Sequence, residues 1–270
     1  MNFDFNQKHI SLPVLKGAFP FRLGTTSYIL PAPILPNIRL LGPYLDEVEL
    51  ILFESSREEN LPSEKEIQEM IRLGGEMDLS FNVHLPIDLY LGDPDPDVRK
   101  RGCSAAMRFY KRTLPLNPTV YVLHLDWKLH RGEGCSDHKA WLGRLENSLE
   151  NLVTGGIDPG LIAVENLDYP LEWVRPIVEA IGMQFCLDIG HLMLYGHDLK
   201  EHFRIFLEKT AMMHIHGIQD AKDHRGLHAM SDWIWEAVVH VLKNYDKGVS
   251  IEVFSMDDLD PSLRRMEELV

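Results

Sequence analysis

Cysteine is scarce in this chain of 270 residues. Cys103, Cys135 and Cys186 are the only three, the count is odd, and no two form a CxxC pair. That usage argues against a disulfide framework and points to reduced thiols in a cytoplasmic protein. Positive charge is also short: 27 Lys and Arg stand against 41 Asp and Glu, a formal net charge of −14. A protein that coats nucleic acid needs a clustered basic surface, and docking on anionic lipid needs the same, so both partner classes are disfavoured. No apolar run reaches the roughly 20 residues of a membrane span; Val48–Phe53 is already interrupted by Glu49. The start, Met1–Phe21, has Asp4 and no apolar stretch of the kind a secretory signal carries. Internal repeats and Ser/Gly-rich linkers are missing too, so residues 1–270 read as a single domain, with 1–20 as an N-terminal extension. What is plentiful is histidine, with 13, on a globular composition of 45% hydrophobic and 25% charged residues.

A pattern recurs along the chain: a short β-rich run, a polar loop, a helix-like stretch. The runs predict strands at Phe21–Tyr28, Asp46–Glu54, Asp78–Leu85, Thr119–Leu125, Leu161–Asn166, Gln184–Asp188, Ala211–Gly217 and Val249–Phe254. Most are continuous apolar runs, as parallel strands covered by helices should be. Between them, Ser63-Glu64-Lys65-Glu66 reads as a capping box opening a helix to about Met77. A helix from Asp95 to Leu114 carries Pro96 in its first turn. Trp141, Leu145, Leu149 and Leu152 make an amphipathic stripe within Ser136–Val153. Further helices are expected at Pro36–Leu41, Pro170–Ile181, His197–Lys209, Ser231–Asn244 and Pro261–Val270. Eight strands alternating with eight helical stretches in 270 residues has the size and rhythm of an α/β fold of the (β/α)₈ TIM barrel type.

In such a barrel the chemistry lies at the C-terminal ends of the strands. Strand three ends with His84, strand four with His124 and Asp126, and strand five with Glu165-Asn166. Strand six ends with Asp188, followed by Gly190 and His191; strand seven ends with His214 and His216; strand eight ends with Glu252. One polar residue at a strand mouth is ordinarily a hydrogen-bonded core residue. Six strands in succession that each deliver imidazole or carboxylate form a crowd too costly to bury without a cation. Imidazole and carboxylate are ligands of Zn²⁺ and Mn²⁺. His214 and His216, two apart, point to the same face. Asp223-His224, in the next loop, offers another carboxylate–imidazole pair. Thr25, Thr26 and Ser27 at the end of strand one, with Glu49, Glu54 and His228, are candidate substrate contacts. Cys186, in phase with Asp188 but one layer deeper, reads as barrel filling. His9, His130, His138, His197, His202 and His240 are expected at the surface.

Taken together, His84-Leu85-Pro86, the His124 strand, Val164-Glu165-Asn166-Leu167, Leu187-Asp188-Ile189-Gly190-His191, the His214/His216 strand, Asp223-His224 and Ile251-Glu252 resemble a known superfamily. It is the xylose isomerase-like barrels that include the endonuclease IV (AP endonuclease family 2) enzymes. Leu23–Ile29 together with Asp46–Glu54 looks like a narrower branch, the cobamide-remodelling phosphodiesterases. The resemblance implies that Glu165 bridges two metals, that His84 and His124 complete one, and that Asp188, Glu252 and His214 (or His216) complete the second. His191, Asp223 and His224 would hold a third. The sequence departs from the family motif in having two histidines at strand seven and in placing Asp223 and His224 side by side.

The resemblance therefore implies a hydrolase carrying two or three divalent ions, Zn²⁺ foremost with Mn²⁺ as the other choice, and Glu165, Glu252 and Asp188 as its catalytic residues. The expected substrate is a small corrinoid, whose nucleotide-loop phosphodiester would be cut during cobamide salvage. The competing expectation is a sugar isomerase or epimerase, which needs only the one ion held by Glu165, Asp188, a strand-seven His and Glu252. A DNA repair nuclease is a further alternative that the acidic charge disfavours. A non-catalytic corrinoid-binding protein would require an Asp-x-His-x-x-Gly loop, which the sequence lacks.

Overall fold

A computed structural model describes residues 11–127 and 137–270. Seven strands, β1 (Arg22–Thr26), β2 (Glu47–Ile51), β3 (Ser80–His84), β4 (Tyr121–Leu123), β5 (Ile162–Glu165), β6 (Gln184–Asp188) and β7 (Thr210–Ile215), come first. A small antiparallel hairpin follows, made of β8 (Gly217–Gln219) and β9 (Lys222–Arg225), and then β10 (Gly248–Ile251). The eight long-range strands close in the order β1-β10-β7-β6-β5-β4-β3-β2, all pairs parallel. This is the expected TIM barrel, and each of its strands lies within or next to a run predicted from apolar content.

Helices α1 (Ile34–Leu41), α2 (Glu64–Met77), α3 (Pro96–Thr113), α4 (His138–Thr154), α5 (Arg175–Ile181), α6 (Ile189–Leu194), α7 (Leu199–Phe206), α8 (Asp232–Leu242) and α9 (Met256–Glu267) surround the barrel. Their starts follow local chemistry. Ser63 and Glu66 form a reciprocal capping box at α2, a device of about 1 kcal/mol. Asp95 caps α3 with Pro96 in its first turn. The α4 stripe of Trp141, Leu145, Leu149 and Leu152 is buried, as its spacing predicts. Two helices differ from expectation. The last begins at Met256, not Pro261, because Ser255 accepts from the Asp258 N–H, and Pro261 sits inside the helix. The six-residue α6 is too short to show a period; Asp188 starts it by accepting the His191 N–H at 2.8 Å.

The main apolar core lies between the strands and the helices. The barrel interior is different: a small apolar cluster of Val120, Val122, Ala163, Cys186 and Met212 lines its β4–β7 side, and buried Glu49, Asn82 and Ser250 come from β2, β3 and β10. Cys186 is thus barrel filling, and burial pushes its thiol up. The lower end of the barrel closes on buried Glu47, which accepts from Asn82 Nδ2 at 2.8 Å and Thr119 Oγ1 at 2.6 Å. The N-terminal residues 11–20 pack against the barrel: Leu12 and Leu15 are buried and the Leu15 N–H donates to Tyr44 O at 2.9 Å. Among the described residues, no helix is long and apolar enough to cross a membrane.

Gly102 on α3 is needed for close approach, because a Cβ there would overlap the carbonyl oxygen of Leu89 in the loop that follows β3. Backbone cannot yield as a side chain can. Gly102→Ala is expected to lower stability by about 1–3 kcal/mol, read from the denaturant midpoint. A midpoint equal to the parent's would show that this loop is not held by the helix.

Candidate metal centre

The upper end of the barrel is its mouth. Alternation along parallel strands turns every second residue inward, and the strand registers bring those residues to one level. Glu165 is central and 1% exposed. Its Oε2 lies 3.2 Å from His84 Nε2 and 3.1 Å from His124 Nε2, and its Oε1 lies 3.0 Å from His191 Nδ1. Ligand atoms along one edge of a tetrahedral Zn²⁺ site stand about 3.3 Å apart, given bond lengths of about 2.0–2.2 Å. The His84 and His124 spacings to Glu165 are of that size. The other nitrogen of His84, Nδ1, donates to Leu85 O at 2.8 Å, a bond that leaves Nε2 as the nitrogen available to an ion.

Asp188 is locked to β5 by Asn166, which accepts the Asp188 N–H at 2.7 Å and donates through Nδ2 to Asp188 O at 3.0 Å. The two strand-seven histidines then divide their roles. His214 Nδ1 faces Glu252 Oε2 at 3.1 Å, Glu165 Oε2 at 3.7 Å and Asp188 Oδ2 at 3.9 Å. His214 Nδ1 and Glu252 Oε2 are nevertheless both buried without a hydrogen bond. Two orphaned donor atoms aimed at one point, among three carboxylates, fit a divalent cation. His216 instead accepts the His224 N–H on Nδ1 at 3.0 Å, which puts its proton on Nε2, 3.1 Å from Asp188 Oδ1. Both residues lie within ligand range of other donors, His214 of Glu165 and Cys186, and His216 of Asp188, His191, His224 and Glu252. They differ in that His214 Nδ1 makes no hydrogen bond whereas both ring nitrogens of His216 do. Gly190 permits this, because a Cβ there would overlap the His216 ring.

A third group of donors, His191, Asp223 and His224, lies within ligand range. His191 turns Nδ1 to Glu165 and Asn166 O, so Nε2 is the nitrogen left for this group. Asp223 and His224 sit on the β8–β9 hairpin, where the sequence suggested a loop. The hairpin turns at Asp220 and Ala221, both at positive φ (54° and 57°), and His224 is itself at 53°.

The electrostatics follow from burial against mutual attraction. Burial opposes the Glu165 charge, but His124, His191 and His84 hold its carboxyl well below the usual range. Burial likewise opposes charge on His84 and His191, yet Glu165 lifts His84 to about 9, and Asp188 with Glu165 lifts His191 to about 10. Glu252 is held well below its ordinary range by His214 and His224 despite burial.

A cavity of about 310 Å³ opens over these groups, lined also by Asp126 and Asp168. Its rim is apolar: Ile51, Phe53, Ile87, Leu167, Tyr195 and Phe254. No Lys or Arg lines it among the described residues. Phe53 sits at positive φ (40°) and packs edge-on against exposed Tyr28 at 5.1 Å. These rim residues carry no motif; only their position just beyond strand ends could have marked them.

The candidate substrate contacts do not reach this cavity. Thr25 and Thr26 donate their hydroxyls to the Ile251 and Val253 carbonyls, each at 2.6 Å, and Ser27 Oγ accepts the Ile51 N–H at 3.1 Å. Glu49 is fully buried beneath the metal-ligand layer, against His214. Glu54 bonds Asn60 in the loop after β2, and His228 is exposed and does not line the cavity. Of the histidines expected at the surface, His202 is buried on α7, while His9 and His130 lie outside the described residues.

Metal uptake by this centre should expel protons. With folded pKa values raised to about 9 and about 10, His84 and His191 are protonated in the metal-free protein at pH 8. His214 is also held well above its ordinary value by Cys186, Glu49 and Glu252 despite burial. Zn²⁺ binding across these ligands should therefore release about three protons per chain, and affinity should climb with pH until it passes those values. Calorimetry at pH 8 in two buffers of different ionisation enthalpy measures the release, and binding without it would contradict these assignments.

Residues 41–269 match the family described as the xylose isomerase-like TIM barrel. Among solved structures, a D-tagatose 3-epimerase-like protein is similar at 19% identity and TM-score 0.74, covering 92% of this chain and 96% of that one. D-psicose 3-epimerase from Clostridium cellulolyticum, solved with D-tagatose, has 17% identity and TM-score 0.69, with 90% and 89% covered. Endonuclease IV from Thermus thermophilus has 16% identity and TM-score 0.68, with 92% and 98% covered. No curated protein matches the chain. At such identities the solved structures share the fold, and the match over 41–269 goes further: this chain belongs to the xylose isomerase-like TIM barrel family.

Proposed function

We propose that the protein is a divalent-metal-dependent phosphodiesterase acting on the phosphodiester of the cobamide nucleotide loop, a step of cobamide remodelling and salvage. The observation that carries this reading is the crowding around Glu165. Three imidazoles meet its two oxygens, and a further set of Asp188, His214 and Glu252 converges beside it. That is more donor capacity than one ion takes. His84, His124 and Glu165 would hold one ion; Glu165, Asp188, His214 and Glu252 a second; His191, Asp223 and His224 a third.

Bound divalent ions supply Lewis-acid polarisation of the phosphoryl oxygens and a lowered pKa for water. The chain's own residues do the rest. Glu252, held ionised by His214 and His224, lines the cavity and takes the proton of the attacking water. Water oxygen bonds to phosphorus, the opposite P–O ester bond breaks, and the leaving oxygen is protonated from solvent. Asn166 and His216 keep Asp188 in place. The aromatic and aliphatic rim suits a diester with a large apolar ring system on one flank. Among the described residues the wall has no Lys or Arg, and with a net charge of −14 that suits neither DNA nor a sugar bearing several phosphates.

A second reading is favoured by one observation. Glu165, Asp188, His214 and Glu252 are a complete four-donor set for a single ion, and several of the similar structures are named as ketose 3-epimerases. A single-metal sugar epimerase would need no more.

One assay decides between them. Zinc- or manganese-loaded protein is incubated with adenosylcobalamin, with bis-p-nitrophenyl phosphate, and with D-psicose, with and without chelator. Chelator-sensitive cleavage of the diesters is expected, with no turnover of the ketose. Glu165→Gln should lower the rate by more than about a hundredfold, the upper range for loss of a mere supporting residue of a metal site. Epimerisation without diester cleavage would overturn the proposal.

A further inference from the structure

We infer that Glu49 is a positioning residue of the metal centre, which orients His214 from beneath so that Nδ1 is the nitrogen offered to the ion. Glu49 is fully buried and takes no part in the cavity. The strand register explains its depth: Glu49 pairs with Asn82, whereas His84 pairs with Ile51, one inward step higher. Both Glu49 oxygens are committed. Oε1 lies 3.0 Å from His214 Nε2, and Oε2 accepts from Ser250 Oγ at 2.6 Å. A carboxylate can only accept at these contacts, so His214 Nε2 carries a proton, and Nδ1, which faces Glu252, Glu165 and Asp188, is the nitrogen that can give up its proton to an ion. Ser250, from β10, fixes the carboxylate plane, so β2 and β10, which flank β1 in the closed barrel, together set the angle of a ligand on β7.

A buried carboxylate that touches no cation other than an imidazole is unfavourable unless it serves that contact. The arrangement also separates the two strand-seven histidines: His214 is clamped from below by a side chain, and His216 is held by the backbone of His224. Removal of the clamp leaves Nε2–H without an acceptor in a dry interior and frees the ring to turn or to change tautomer. Residues that hold metal-ligating imidazoles in this way are worth about 10–100-fold in metal affinity. The inference rests on the metal centre and not on which ester is cut.

Zinc titration of the metal-free protein by calorimetry tests it without any substrate. Glu49→Ala is expected to bind the ion of the His214 set about 10–100-fold more weakly. Glu49→Gln, which keeps an acceptor for Nε2–H and lacks the charge, should recover most of that loss. Wild-type zinc binding by Glu49→Ala would overturn the inference, and so would a Glu49→Gln variant as weak as Glu49→Ala. A second measurement does not depend on a variant's folding in the absence of Glu49. In zinc-loaded wild-type protein, long-range proton–nitrogen correlations of His214, identified by comparison with His214→Gln, should show a metal-bound Nδ1 and a protonated Nε2. The reverse pattern would contradict the inference. Failure of diester cleavage would leave both readouts unchanged, so the two proposals stand or fall separately.

Discussion

The buried charge of Glu165 is the constraint around which the mouth of this barrel is organised. A carboxylate 1% exposed would be untenable alone. Three imidazoles from β3, the end of β4 and α6 face it, and two of them, His84 and His191, are in turn held charged by it, His191 together with Asp188. Such a mutual arrangement is stable without metal only while protons supply the positive charge. Divalent ions replace those protons with more charge in less space. The centre thus couples protonation, metal content and local order, and the supporting residues Asn166, His216 and Glu49 keep each donor aimed while that exchange occurs.

The rest of the barrel makes this crowding tolerable. An apolar cluster lines the interior on the β4–β7 side, and the polar groups on the other side are paired down to the lower end of the barrel, where Glu47 is satisfied by Asn82 and Thr119. The main apolar core lies outside the strands, against the helices, and meets the cavity at Leu167. The hairpin β8–β9 extends the mouth and delivers Asp223 and His224 at a level that no barrel strand reaches.

Much of this was legible in the sequence, for physical reasons. Parallel strands buried on both sides must be apolar runs, so Gln184–Asp188 is read to the residue. Capping chemistry at Ser63 and Asp95 marks helix starts directly. Inward-facing His and acidic residues at strand ends announce the ligands, because nothing else justifies them there. Depth was not legible. Parity places Glu49 inside the barrel, but only the pairing of Glu49 with Asn82 shows that it lies below the mouth. The hydroxyls of Thr25, Thr26 and Ser27 look like contacts for a ligand and are used up by neighbouring backbone. The hairpin was hidden because Ala221 occupies a positive-φ position where Gly or Asn would have signalled a turn. Pro261 misplaced the start of α9, because Ser255 caps the helix upstream and the proline is tolerated within it.

The acidic net charge of −14 takes on a narrower meaning once the mouth is described. Some of it is ligand carboxylate, which bound cations would offset. The cavity wall itself offers no Lys or Arg to a polyanion among the residues described, only donors for metal and a rim for apolar rings. Substrate choice then rests on how many ions the donors hold. The most direct measurement is anomalous diffraction from crystals of the zinc-loaded protein at the zinc edge. The account predicts one peak beside His84, His124 and Glu165 and another beside Asp188, His214 and Glu252, with Glu165 touching both. A single peak at full occupancy, with His84 and His124 bare, would contradict it.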